Sequence, residues 1–210
     1  KYLCNTDGSI EKIGEVLNKL RFPYEEVERF YAQFVMSLLT GNGDLHTDNI
    51  AILTDPNKHG MSRYRLSPLF DPAPMRAYRG RQSHNVLSAL PFGGGEPTDT
   101  TGSTTPADLF DRMMSVAKAM GMKHTKAKGL VKQLHQVTEP YLQEAIELLR
   151  SIPKDRRPNS LAPDIQGFEA TIQEVRSAIA RGWSGHASKP PPTPSLVFSN
   201  KQVLLLDEQV

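Results

Sequence analysis

Residues 41–53 read GNGDLHTDNIAIL, and residues 67–72 read SPLFDP. The first stretch crowds polar side chains into one glycine-rich loop, and the apolar run Ile50–Leu53 after it predicts a short buried strand. Turn-forming residues at 55–60 and the pattern at Tyr64–Leu66 predict that the chain folds back as a small β-hairpin. We therefore expect oxygen-bearing side chains from the two quoted stretches to meet.

Helical periodicity on both sides of the hairpin predicts a mainly α fold. Two helices precede the loop, one after a cap at Ser9 and one after Pro23. Another should begin within Thr105–Asp108, where Thr105 can act as the cap, and Pro140 should kink or restart a later helix. Every apolar stripe is expected to be core: Ile10, Ile13, Leu17 and Leu20; Val27, Phe30, Phe34 and Leu38; Leu109, Met113, Val116 and Met120; Leu130, Leu134, Val137, Tyr141 and Leu148; Phe168, Ile172, Val175 and Ile179.

Composition along the chain predicts three parts. Residues 1–182 contain the helices and the hairpin and form the main lobe. Residues 183–195 form a stiff Pro-rich linker, and residues 196–210 form a tail that could dock as a strand. Within the lobe, residues 72–105 are expected to be a long and partly mobile excursion.

Charge and cysteine content limit the partners and the cellular compartment that we expect for this chain. The 25 basic and 23 acidic residues leave a net charge of +2, so no strong field attracts nucleic acid or an anionic membrane. The basic run from Lys123 to Lys132 lacks interleaved aromatic residues, which is typical of a solvated helix face. The lone Cys4 rules out an internal disulfide and fits a reducing cytoplasm, and no apolar run is long enough for a membrane span. We expect a cytoplasmic protein that contacts neither nucleic acid nor membrane directly.

The loop residues suit phosphoryl transfer. That reaction needs a carboxylate that orients the attacking hydroxyl and accepts its proton, and oxygen ligands that hold Mg²⁺ on the phosphates. Asp44 suits the first role and Asn49 the second, and their Asp-x-x-x-x-Asn spacing equals that of kinase catalytic loops. Asp71, after the hairpin, corresponds to the metal-binding aspartate of kinases. Such spacing also recurs in ordinary hydrogen-bonded turns, so the interpretation depends on the order of the whole region.

That order is similar to the signature of HipA-like serine/threonine kinases, the toxins of toxin–antitoxin systems: GNGDLHxxN, an apolar strand, and then SPLFD. The resemblance covers residues 1–181, the C-terminal half of the family, and implies a protein-kinase-like C-lobe with the hairpin next to the catalytic loop. It implies that Asp44 acts on the substrate hydroxyl and that Asn49 and Asp71 bind Mg²⁺. His46, in the family's Asp-x-His pattern, would steady the catalytic loop or bind ATP through its phosphates. Family substrates include aminoacyl-tRNA synthetases, and an antitoxin is the expected partner.

Two departures from the family bear on activity. Asp48 stands where the family usually has Lys or Arg, so the charge near the phosphates is reversed unless Arg63, Arg65 or Arg76 compensates. No glycine-rich loop and no strand lysine that would grip ATP precede the loop. We expect the ATP-gripping lobe to lie upstream or on another chain, and the 210 residues alone to have no measurable kinase activity.

Two other interpretations stay open at this point. A metal-dependent hydrolase would use Asp44, His46, Asp48 and Asp71, residue types that bind transition metals, and would require all four side chains to converge on one ion. The non-enzyme alternative is a degenerate kinase that only binds an antitoxin or a partner lobe, and Asp48 favours it.

Overall fold

The computed structural model describes residues 8–72, 87–93, 105, 108–156 and 161–184. Within those ranges the chain forms six α-helices and one two-stranded antiparallel sheet, so the prediction of a mainly α fold with a small hairpin is confirmed. In chain order the elements are α1 (Ile10–Lys19), α2 (Tyr24–Thr40), β1 (Ile52–Thr54), β2 (Tyr64–Leu66), α3 (Leu109–Ala119), α4 (His124–Val137), α5 (Glu139–Ser151) and α6 (Leu161–Ser184). No helix in these ranges is both long and apolar enough to cross a lipid bilayer.

The second helix forms the centre of the core. It packs against α1, α4, α6 and β2, and its predicted stripe of Val27, Phe30, Phe34 and Leu38 is fully buried. The Tyr31 hydroxyl donates to the Met113 carbonyl of α3 at 3.1 Å, and burial raises the pKa of that phenol. Because α2 contributes buried side chains on several faces, its position is determined by the whole helical assembly.

The ends of the first two helices follow the sequence signals. The Ser9 hydroxyl accepts a hydrogen bond from the Lys12 amide at 3.1 Å, which confirms the predicted cap of α1. At the C-terminal end of α2, Gly41 takes a left-handed conformation with φ of 71°. A Cβ at Gly41 would lie 2.6 Å from Cδ1 of Ile172 on α6, so both the backbone and the packing require glycine there.

The third helix begins later than predicted. The prediction of a Thr105 cap is wrong, because α3 begins at Leu109 after Asp108. The Thr105 amide instead donates to the Glu174 carboxylate of α6 at 2.7 Å, which holds this part of the chain outside the helix. The α3 stripe itself is confirmed, since Leu109, Met113, Val116 and Met120 are fully buried.

The stripe predicted for α4 and α5 is partly wrong. Val137 is 64% exposed and Leu148 is 70% exposed, whereas the side chains that these helices bury include Ala127, Val131 and Ile146. The buried positions Ala127, Val131, Thr138 and Ile146 are spaced by four, seven and eight residues, so the buried face lies beside the predicted stripe. Helix α4 ends at Val137, and α5 starts with Pro140 in its first turn. The predicted restart is therefore confirmed.

The hairpin differs from the prediction in its burial. Ile52 pairs with Leu66 and Thr54 with Tyr64, as predicted for a hairpin. The predicted burial of the first strand is wrong, because Ile52 is 48% exposed and Leu53 is 39% exposed. Strand β2 packs on α2: Leu66 is buried, and its amide donates to the Glu26 carboxylate at 2.7 Å.

Residues 87–93 belong to the core, although the sequence predicts them to be part of a loose excursion. Leu87, Leu90 and Phe92 are buried, and the Pro91 carbonyl accepts from the Ile10 amide at 3.1 Å. The Phe92 ring packs edge-on against Phe34, with the ring centroids 4.9 Å apart. The prediction of a loose segment is wrong for these residues because their apolar side chains are buried and the segment contacts both α1 and α2. The remaining residues of the excursion, including Arg76, lie outside the described ranges.

The last helix extends to Ser184, past the point near Arg181 where its sequence pattern fades. Trp183 packs edge-on against Phe110, with centroids 6.3 Å apart, and against the His135 ring, with centroids 4.9 Å apart. This contact seals the end of α6. The rest of the predicted linker and the tail at 196–210 lie outside the described residues, so the division into three parts stays a prediction.

A buried arginine joins the last three helices. The Arg176 side chain, 4% exposed, donates to the His135 carbonyl at 2.6 Å and to the Thr138 hydroxyl at 2.8 Å, and it pairs with the Glu139 carboxylate. Thr138 lies between α4 and α5, so the guanidinium satisfies carbonyl groups at the end of α4. Burial lowers the pKa of the His135 imidazole, the positive charge of Arg176 lowers it further, and the Glu139 carboxylate opposes both.

Two glycines in helix interiors give a matched test of the packing. A Cβ at Gly14 of α1 would lie 2.3 Å from Cγ of Met120, whereas a Cβ at Gly129 of α4 would have nothing within 4 Å. We expect Gly14→Ala to lower the free energy of unfolding by about 1–3 kcal/mol through overpacking. We expect Gly129→Ala to raise it by up to about 1 kcal/mol through helix propensity. Chemical denaturation measures both, and shifts of the same sign would contradict the packing of α1 on α3.

The pH dependence of stability should contain a contribution from His135. Because its pKa in the folded chain lies below the ordinary value of 6.5, folding favours the neutral ring. This stabilisation is complete above pH 6.5 and is lost as the pH falls through the lowered pKa. Denaturation between neutral and mildly acidic pH should therefore show a steeper loss of stability for the unmodified chain than for His135→Gln. His124→Gln, at the exposed first residue of α4, is the control and should retain the steeper loss.

Candidate active site

The loop after α2 begins with a buried asparagine. The Asn42 amide donates to the Ser37 carbonyl at 2.9 Å, which closes the end of the helix after the left-handed Gly41. The Asn42 side chain is buried, and its Oδ1 accepts from the Asp44 amide at 3.1 Å. This local turn presents Asp44 at the surface of the lobe, with 31% of its side chain exposed.

His46 lies against the carboxylate of Asp44. Its Nδ1 accepts from the Asp48 amide at 3.2 Å and caps the short 3-10 helix Thr47–Asn49. A neutral imidazole that accepts at Nδ1 carries its proton on Nε2, and Nε2 lies 3.5 Å from Oδ1 of Asp44. The ring can therefore orient the carboxylate through the protonated nitrogen.

Asn49 completes the cluster. Its Nδ2 donates to the Asp44 carbonyl at 2.9 Å and lies 3.3 Å from Nε2 of His46. Leu45 lies between Asp44 and His46 in the sequence. Its side chain is fully buried and anchors the loop in the core. The structure thus brings together three of the four side chains predicted to form a site, Asp44, His46 and Asn49.

The oxygen of the Asn49 carboxamide suits a hard cation. Because Nδ2 donates to the Asp44 carbonyl, Oδ1 remains as an acceptor, and no hydrogen bond within the described ranges engages it. Neutral amide oxygens and carboxylates are the ligands that Mg²⁺ prefers. The donor set of Asn49 and Asp71 therefore fits magnesium chemically.

Asp71 comes from the other stretch, which the hairpin returns to the loop. The Ser67 amide donates to the Ala51 carbonyl at 2.8 Å, two residues from Asn49, and Asp71 follows Ser67 by four residues. Asp71 itself is exposed and has φ of 49°, a left-handed conformation. Within the described part of the chain no hydrogen bond or ion pair joins its carboxylate to Asp44, His46 or Asn49. The structure brings the two backbone segments together and leaves the shared use of a cation by Asn49 and Asp71 as a prediction.

Asp48 is largely exposed to solvent, although it lies near His46. Its side chain is 83% exposed, and its Oδ2 lies 3.8 Å from Nδ1 of His46, whereas Asp44 lies near Nε2. Solvent screens a charge with that exposure. Of the arginines expected to compensate it, Arg63 lies over the Tyr64 ring at 5.1 Å and Arg65 is an exposed residue of β2.

The convergence required by a metal-dependent hydrolase is not found. That interpretation needed Asp44, His46, Asp48 and Asp71 around one ion, and all four lie in the described ranges. No group of three or more His, Cys, Asp or Glu side chains in these ranges could hold a metal ion. The four side chains therefore do not converge as that interpretation requires: Asp44 and Asp48 lie beside different nitrogens of the His46 imidazole, and Asp71 comes from the other segment.

Several residues that organise the site were missed by the sequence analysis. Gln33 and Ser37 of α2 and Glu26 near its start point toward the loop or the hairpin rather than solvent, and Asn42 is 3% exposed. The available signal was the presence of polar residues among the apolar stripe of a buried helix. Buried polar groups need partners, so each of them indicated a contact from another part of the chain.

The fold and the cluster define a class of protein: a mainly helical lobe whose candidate site gathers a carboxylate, an imidazole and a carboxamide in one loop after a buried helix. Residues 1–141 match the family model described as the HipA-like C-terminal domain. Because the match spans more than half of the 210 residues, the chain belongs to that family. The family resemblance of the sequence is confirmed. Comparison with curated proteins found no match, and comparison with solved structures found none either.

The left-handed backbone of Asp71 can be tested by two substitutions. Glycine adopts φ near 49° freely, whereas alanine at such an angle is penalised by about 1–2 kcal/mol. We expect Asp71→Gly to be more stable than Asp71→Ala by about 1 kcal/mol, which thermal or chemical denaturation measures. An alanine variant as stable as the glycine variant would contradict the conformation of this residue.

Proposed function

We propose that this chain is the kinase-like C-terminal lobe of a HipA-like serine/threonine kinase, which transfers the γ-phosphate of ATP to a hydroxyl of a protein. The observation that carries the proposal is the contact of Asp44 with His46 and Asn49 in one loop. The chain also belongs to the HipA-like family, and this membership supports the interpretation of the loop as a kinase-type site.

Each residue of the cluster has a role in the proposal. The Asp44 carboxylate accepts the proton of the attacking hydroxyl, since it is partly exposed and lies 3.5 Å from Nε2 of His46, while Asn42 holds the Asp44 backbone. His46 keeps that carboxylate oriented through Nε2 and can approach a phosphate oxygen. Oδ1 of Asn49 and the carboxylate of Asp71 hold Mg²⁺, which when bound neutralises negative charge on the phosphates.

The proposal needs partners that supply the rest of the reaction. A second lobe, on the same polypeptide or on a separate chain, grips ATP, and a protein supplies the Ser or Thr hydroxyl. By family expectation the substrate is an aminoacyl-tRNA synthetase, an antitoxin controls the toxin, and the reaction takes place in the cytoplasm. The second candidate is a degenerate member that binds a partner without catalysis. The reversed charge of Asp48 favours it, although the 83% exposure of that side chain weakens the effect of the charge.

The test is Asp44→Asn in the complete protein that carries this chain. We expect phosphate transfer from labelled ATP in the presence of Mg²⁺ to fall at least about 100-fold, because the amide cannot accept the proton. The fold should be retained, since Asn42 contacts the backbone of Asp44 and not its carboxylate. The control is Asp111→Asn, the same change on the exposed face of α3, which should leave the rate unchanged.

Two outcomes would decide against this function. If the Asp44→Asn variant retained turnover, the assignment of Asp44 as the catalytic base would be wrong. A complete unmodified protein that binds its partner and transfers no phosphate would favour the degenerate, non-catalytic member.

A further inference from the structure

One face of α2 carries polar side chains into the interior. Glu26, Gln33 and Ser37 are spaced by seven and four residues, which puts them on the same side of a helix. Glu26 and Ser37 are buried, and Gln33 is half-buried. A row of this kind in a core helix is costly unless each group has a partner, and here the partners come from the two segments of the candidate site.

The first connection runs to the catalytic loop. The Ser37 hydroxyl donates to the Gln33 carbonyl at 3.0 Å and lies 3.5 Å from Nδ2 of Asn42. Oδ1 of Asn42 then accepts from the Asp44 amide at 3.1 Å. The backbone of Asp44 is therefore joined to the last turns of α2 by a short chain of polar contacts.

The second connection runs to the segment that carries Asp71. Nε2 of Gln33 donates to the Ser67 carbonyl at 2.5 Å, and the Glu26 carboxylate accepts from the Leu66 amide at 2.7 Å. Ser67 is itself buried, and its carbonyl accepts this hydrogen bond from the Gln33 amide. From Ser67 the chain continues directly into the residues that lead to Asp71.

Gln33 is the residue at which the two connections meet. The Gln33 carbonyl accepts from the Ser37 hydroxyl in the connection to Asp44. The Gln33 side chain donates to the Ser67 carbonyl in the connection to Asp71. We infer that Gln33 is a positioning residue that sets the separation of the Asn49 and Asp71 ligands, so that both reach one divalent cation. This inference rests on the proposed function, because it assumes that Asn49 and Asp71 share a metal. A merely structural glutamine would stabilise the hairpin without any effect on the joint response of these two residues to a metal.

The experiment uses the full 210-residue chain, labelled with ¹⁵N, and Mn²⁺ as a paramagnetic substitute for Mg²⁺ with the same preference for oxygen ligands. In the unmodified chain, the amide signals of Asn49 and Asp71 should broaden together at the same Mn²⁺ concentration. In Gln33→Met, which keeps the length of the side chain and removes the donor, both signals should need a Mn²⁺ concentration roughly three- to tenfold higher, because one lost hydrogen bond weakens the single site that the two ligands share.

Two further variants sharpen the test. Gln136→Met makes the same change on an exposed face of α4 and should leave both signals as in the unmodified chain. Gln33→Glu keeps the shape of the side chain and removes the donated proton, so it should raise the required Mn²⁺ concentration for both signals as Gln33→Met does. It also provides the measurement if the methionine variant does not fold.

The outcomes distinguish this inference from the proposed function. If the amide signals of Asn49 and Asp71 in both Gln33 variants broaden together at the original Mn²⁺ concentration, the positioning role is wrong and the metal site stands. If Mn²⁺ affects neither residue in the unmodified chain, the metal site of the proposed function fails, and this inference fails with it.

Discussion

The burial of α2 is the constraint on which the rest of the structure depends. Phe30, Phe34 and Leu38 are fully enclosed, and four other elements pack around the helix. Removing one such side chain from a core typically costs about 2–5 kcal/mol, so the helix cannot shift without a large loss of stability. The loop that bears Asp44 starts at the end of this helix, after Gly41. The packing of α2 in the core therefore sets the orientation of this loop.

Much of the fold could be predicted because it depends on local pattern. The buried positions of α2, α3 and α6 recur at helical spacing, and the caps at Ser9 and Gly41 need only neighbouring residues. The errors arose where tertiary context decides. The apolar strand β1 is exposed because the hairpin docks on α2 through β2, and the composition of a strand does not specify how the hairpin docks. The burial within residues 87–93 has a similar reason, since Pro91 bonds to Ile10 of α1 and Phe92 packs on Phe34 of α2, residues far away in the sequence.

The candidate site shows the same division. Asp44, His46 and Asn49 lie within six consecutive residues, and their contacts arise from the turn itself, so the motif was sufficient to predict their proximity. Asp71 is related to them only through the hairpin and the contacts of Gln33 and Glu26, which join residues about 34 and 40 positions apart. Single-sequence patterns do not specify such long-range pairs. The direction of the Asp48 side chain was likewise hidden, because spacing gives the charge of a residue and not its exposure.

The contact of Trp183 with the end of α4 has a practical consequence for spectroscopy. Trp183 is the sole tryptophan of the chain, and its indole lies against His135 and Phe110, with the Lys132 ammonium 5.9 Å from the ring centroid. The intrinsic fluorescence of the protein therefore reports the junction of α4 and α6. An emission change would register the docking of the last helix, whereas events confined to the loop after α2 call for a separately introduced probe.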